Sequence, residues 1–139
     1  WHRRGLVPNG RRLADDPRCT LLNADFFALA RGAGFDPARP GHRWDAVLLD
    51  IDHAPGQLLN GAHGDFYTAA GLERLRRFLK PGGVFALWSD DDPDDAFLSV
   101  LRKVFGHAEG HVCGFDNPLT QQQTSNGIYV ARAAGDGTA

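Results

Sequence analysis

The stretch VLLDIDHAPG, residues 47–56, passes from an unbroken apolar run to two carboxylates and a histidine, then to a proline and a glycine. A carboxylate at such a point can accept a proton from a reacting group or hold a cation. Asp50, Asp52 and His53 are therefore the first candidates for chemistry. Two further acid sites follow apolar runs in the same way, Asp25 in LLNADFFALA and residues 90–92 in FALWSDDDP. Asp91 and Asp92 have a plain structural use: Asp92 suits a helix N-cap, with Pro93 at the first helical position. Asp50 has no such use, because Pro55 and Gly56 turn the chain without it.

Other chemistries find less support. Asp50, Asp52, His53 and His63 match no familiar metal-ligand spacing, so no metal is expected. Ser89 and Ser99 lie outside any G-x-S-x-G context, which argues against a nucleophilic serine. No G-x-G-x-x-G is present, so a phosphate-cradling glycine loop cannot be argued from these residues. Cys19 and Cys113 read as two unrelated thiols, and a chain able to build its own core points to a reducing, cytoplasmic setting.

Elements that would position the acids can be traced from period and punctuation. Residues 19–22 are a short apolar run that reads as a strand, and residues 46–49 a run that suits a strand buried on both faces. FFALA, after Asp25, has helical spacing. Residues 65–80 carry an apolar stripe from Phe66 to Leu79 against Glu73, Arg74, Arg76 and Arg77, and Pro81, Gly82 and Gly83 would end that helix. Residues 84–88 form another buried strand. A helix from Pro93 follows, with Phe97, Val100, Leu101, Val104 and Phe105 on one face and Gly106 at its close. Residues 111–115 and 127–133 are the last strands, too close for a crossover helix and therefore an antiparallel hairpin. Alternation of this kind predicts an α/β fold with a mostly parallel sheet and helices on both faces. Ligands bind such sheets beyond the carboxyl ends of the strands, where Asp25, Asp50, Asp52 and residues 90–92 would share one rim.

Composition bounds the partners. The chain has 139 residues, 42% hydrophobic and 23% charged, with a net charge of -2. That is one domain, expected over residues 1–134 with a frayed tail at 135–139. Arg3, Arg4, Arg11 and Arg12 read as a solvated surface, so no nucleic acid is expected. No apolar run is long enough for a membrane span. The chain holds no methionine and opens on WHRRGLVP, so it is expected to be a fragment or a processed form of a longer polypeptide.

RWDAVLLDIDHAPG followed by DFYTAAGLERLRRFLKPGGVFALWS resembles the C-terminal portion of the spermidine/spermine synthase family, which has the Rossmann-like fold of class I S-adenosylmethionine-dependent methyltransferases. Asp50, Gly56, Phe66, Tyr67, Pro81, Gly82 and Gly83 fall in step with its pattern. The resemblance implies transfer of an aminopropyl group from decarboxylated S-adenosylmethionine to a cationic amine, with Asp50 as the base. It implies that Asp25 and Phe26 hold the nucleoside, with Asp52 and His53 on the substrate. His53 stands where the family has its second loop acid, and LTQQQTSNG replaces the family's substrate gate. Methyl transfer and a noncatalytic Rossmann-like domain are the alternatives. The resemblance also implies two N-terminal strands, with the glycine loop, between residues 19–22 and 46–49 in the sheet. These are missing from the 139 residues. This leaves a gap that a longer chain, altered pairing or exchange with a second copy in a homodimer would fill. As it stands the chain is not expected to bind nucleoside tightly.

Overall fold

The computed structural model describes residues 1–135. Of the expected tail, residues 136–139 lie outside the described residues. Four strands, β1 (Trp44–Leu49), β2 (Leu79–Ser89), β3 (His107–Asn117) and β4 (Gln122–Arg132), form one sheet in the order β1-β2-β4-β3. β1 and β2 are parallel, while β4 runs antiparallel to both β2 and β3. The α/β class and the C-terminal hairpin are as expected. Among the described residues the sheet is mixed, with one parallel pairing rather than a parallel majority.

Side chains alternate across the sheet, as strand geometry requires. Val47, Leu49, Phe85, Leu87, Tyr129 and Ala131 all point into one core. Three helices close that core: α2 (Phe26–Arg31), α3 (Ala69–Arg76) and α4 (Asp95–Phe105). The opposite side of the sheet carries Leu48, Val84, Ala86, Trp88, Ile128 and Val130, half-buried except for Leu48, which is 76% exposed. The expectation of helices on both faces is met on one face among the described residues. An N-terminal 3-10 turn, His2–Arg4, and the short helix α1 (Gly10–Asp15) pack on each other. Arg3, Arg4, Arg11 and Arg12 are exposed there, as the sequence suggests. Among the described residues no helix is long and apolar enough to cross a membrane.

The boundaries move for identifiable reasons. Residues 65–80 are not one helix: a 3-10 segment, Gly61–Tyr67, gives way to α3 at Thr68. The Thr68 hydroxyl donates to the Asp65 carbonyl and accepts from the Gly71 N–H, so one side chain both ends the turn and caps the helix. Chain then enters β2 at Leu79, and Pro81, Gly82 and Gly83 form an irregularity inside that strand, where the register jumps from Trp44↔Leu79 to Ala46↔Val84. Gly82 takes a φ of 73° there.

Helix α4 starts two residues later than expected. Asp94, not Asp92, is the cap, accepting from the Ala96 and Phe97 N–H groups. Its own N–H donates to the Tyr129 hydroxyl at 2.7 Å. Pro93 lies against β3, where a Cβ added at Gly110 would come within 2.6 Å of its Cβ, so it serves packing rather than the first helical position. The apolar face at Phe97, Leu98, Leu101, Val104 and Phe105 is buried as the stripe requires.

Residues 19–22 are not a strand. A strand persists through its ladder, and no described strand lies beside this segment. A cavity of about 330 Å³, lined by Leu22, Ala24, Phe26, Trp44, Ala46 and Val47 among others, opens between it and the outer edge of β1. Trp44 Nε1 is buried without a hydrogen-bond partner among the described residues.

Candidate functional site

Because β1 and β2 are parallel with Leu49 opposite Leu87, the loops that follow them leave the sheet on the same edge. Those loops are tied together. The Asp90 N–H donates to the His53 carbonyl at 2.6 Å, and Gln57 Nε2 donates to Asp91 Oδ2 at 2.6 Å. Helix α2 joins them from the side: the Phe27 ring stacks on His63 with centroids 3.8 Å apart, and His63 Nδ1 lies 2.9 Å from Asp52 Oδ1. One rim thus gathers the segments that carry Asp25, Asp50, Asp52 and residues 90–92.

The individual acids differ in what they are free to do. Asp50 is exposed and makes no side-chain hydrogen bond among the described residues, so both its oxygens are open to a ligand. Asp25 caps α2: its Oδ1 accepts from the Ala28 N–H at 3.0 Å, which leaves Oδ2 available. Phe26 stacks on Phe35 at 4.9 Å and borders the apolar cavity. The His53 side chain is exposed, and among the described residues only its backbone carbonyl is engaged.

Asp52 departs from its expected part. It is 1% exposed, and its oxygens accept from the Leu59 N–H at 2.8 Å, the Tyr67 hydroxyl at 2.8 Å and His63 Nδ1. A carboxylate so occupied meets a substrate only through His63. Burial alone would raise its pKa, but the hydrogen bonds from His63, Leu59 and Tyr67 outweigh that and hold it below the ordinary carboxylate value. Burial first, then the hydrogen bond to Asp52 and its charge, push the Tyr67 hydroxyl far above its usual range, so it stays a donor. Since Nδ1 faces a carboxylate, the neutral His63 ring carries its proton on Nδ1.

His63 is the residue that sequence reasoning undervalued, as one of four scattered metal candidates. No short-range signal marks it, for its partner lies 11 residues away and across a loop. Tyr67 had a signal, the FY pair that opens the next element. Among the described residues no group of three or more His, Cys, Asp or Glu side chains is placed to hold a metal.

Comparison with known proteins bears on what this rim serves. No family model matches the chain. Polyamine aminopropyltransferase 2 of Pseudomonas aeruginosa is 35% identical over 107 residues, which are 70% of this chain and 27% of that protein. The crystal structure of a probable spermidine synthase from Corynebacterium glutamicum superposes with a TM-score of 0.56 at 24% identity, over 89% of this chain and 42% of that one. The chain fits the spermidine/spermine synthase family, in its C-terminal portion. Human methyltransferase-like protein 13, in complex with SAH, shares the fold with a TM-score of 0.56 at 19% identity, over 92% of this chain and 56% of that one. The chain spans about a quarter of the length of its curated relative.

Proposed function

We propose that the chain supplies the amine-activating rim of a group transferase, which moves an aminopropyl group from decarboxylated S-adenosylmethionine to a cationic amine. The observation that carries this is Asp50: an uncommitted, exposed carboxylate at the carboxyl end of a strand whose neighbour is parallel, beside loops held in place by their own hydrogen bonds. An amine must lose a proton before it attacks, and a carboxylate within hydrogen-bond reach accepts it while balancing the substrate's remaining charge. Asp25 Oδ2 fits the amino group of an adenine, with Phe26 beside it as apolar support. The sulfonium donor provides the electrophilic carbon, and the chain's own residues bind, orient and deprotonate.

The likeness to the polyamine aminopropyltransferase of Pseudomonas aeruginosa supports this choice of acceptor. The fold shared with methyltransferase-like protein 13 supports the wider class and keeps methyl transfer as the second outcome. A calorimetric titration of the full-length protein tests both, using S-adenosylmethionine, its decarboxylated form and methylthioadenosine. Heat from the decarboxylated donor and methylthioadenosine, with putrescine consumed, is expected. Heat from S-adenosylmethionine alone, with putrescine untouched, would shift the assignment to methyl transfer. No heat from any of the three ends it.

A further inference from the structure

We propose that the cavity beside Asp50 on the open side of the sheet takes the hydrocarbon chain of the amine substrate, so that the preferred acceptor carries its amine on a longer aliphatic chain than putrescine does. This inference rests on the group-transfer function above. One juxtaposition carries it: a cavity of about 230 Å³ is lined by Leu48, Asp50, Ala86, Trp88 and Ile128 among others, and Asp50 is the only charged side chain in that lining among the described residues.

The strand registers assemble the wall. Leu48 of β1 lies opposite Ala86 of β2, and Trp88, two residues further along, lies opposite Ile128 of β4. Residues two apart on a strand share a side, so these four stand on the side of the sheet away from the helices. Asp50 follows Leu48 by two and borders the same cavity. An exposed carboxylate that accepts no hydrogen bond among the described residues therefore ends an apolar trough.

Charge and apolar area select the occupant. Leu48 is 76% exposed and Trp88 and Ile128 are half-buried, so apolar surface next to the carboxylate stays in water until something covers it. An ammonium group matches Asp50, and methylene groups match the wall beside it. The volume falls below the range of about 300–1,000 Å³ usual for drug-sized ligands, and it suits a single chain. With putrescine at Asp50, the second ammonium lies over the apolar wall, where burial costs it hydration. A longer chain carries that charge past the wall into solvent. A second copy of the protein seated on the same patch would bring two Asp50 carboxylates into one interface with no cation in the lining, which disfavours it.

Calorimetric titration of the full-length protein with putrescine, the eight-carbon terminal diamine and the eight-carbon terminal diol tests the assignment. Each methylene removed from water tightens binding by up to about fourfold. The eight-carbon diamine should therefore bind at least about tenfold more tightly than putrescine, and at least about tenfold more tightly than the uncharged diol. Equal affinity for the two diamines, equal affinity for the long diamine and the diol, or no binding of either diamine overturns the proposal. Leu48→Ser removes an exposed part of the wall and leaves the buried core alone. It should cut the preference for the longer diamine to below about threefold, and Leu48→Met should restore it. An unchanged preference in Leu48→Ser overturns the cavity assignment. Sedimentation reads the other occupant: a dimer that Leu48→Ser dissociates while both diamine affinities stay put makes the patch an interface between copies and overturns the proposal. Aminopropyl transfer separates the two levels. If putrescine is alkylated while the two diamines bind alike, the cavity assignment alone has failed; if the preference is seen and neither diamine is alkylated, group transfer has failed and the cavity stands.

Discussion

The loops after β1 and β2 leave the same edge of the sheet and are both rich in acids, yet they use them in opposite ways. After β1, Asp52 is drawn inside and surrounded by three donors, while Asp50, two residues earlier, is left in solvent. After β2, the acids stay near the surface and bind neighbours: Asp91 receives Gln57, Asp92 receives Ser125, and Asp94 caps α4. The second loop is structural bracing. The first separates a buried acid that fixes a histidine from an exposed acid with no hydrogen bond among the described residues, and the proposed chemistry rests on that division.

Substitution should reproduce this contrast. The largest effect belongs to Asp52→Ala, which strands the Tyr67 hydroxyl and the Leu59 N–H and frees His63. A loss of about 3 kcal/mol is expected in chemical denaturation. Asp94→Ala removes one cap that serves two N–H groups and should cost about 1 kcal/mol. Equal losses at the two sites would break the comparison.

Acid sharpens it further. The folded Asp52 carboxyl lies below its ordinary value of 3.8, so its contribution to stability is complete above that value and is lost as pH falls through the folded pKa. Between pH 5 and the folded pKa, the stability gap between the wild-type protein and Asp52→Asn should therefore narrow only at the acid end. A gap that is constant down to pH 2 would contradict the low carboxyl pKa. The smallest effect is that of Asp50→Asn on stability, expected within about 0.5 kcal/mol because its side chain is exposed and makes no hydrogen bond among the described residues.

How much of this was legible depends on the range of the interaction involved. The helix after Asp25 could be placed because FFALA has helical spacing, and the face of α4 because its stripe repeats within the helix. The β3–β4 hairpin follows from a connection too short for anything else. Residues 19–22 were misread because an apolar run specifies burial, whereas a strand also needs a neighbour. Asp52 and Asp50 look alike in sequence. Only the arrival of His63 and Tyr67 from the next element distinguishes them, and that pairing has no local pattern. The open side of the sheet was hidden for the same reason, since Leu48 is as apolar as Leu49 and only packing tells them apart.

The central claim is that Asp50 takes the proton from the amine, and turnover of putrescine by the full-length Asp50→Asn protein tests it most directly. A fall in kcat of at least about a hundredfold is predicted, with methylthioadenosine affinity and melting temperature unchanged. Turnover equal to that of the unsubstituted protein would show that the proton leaves by another route.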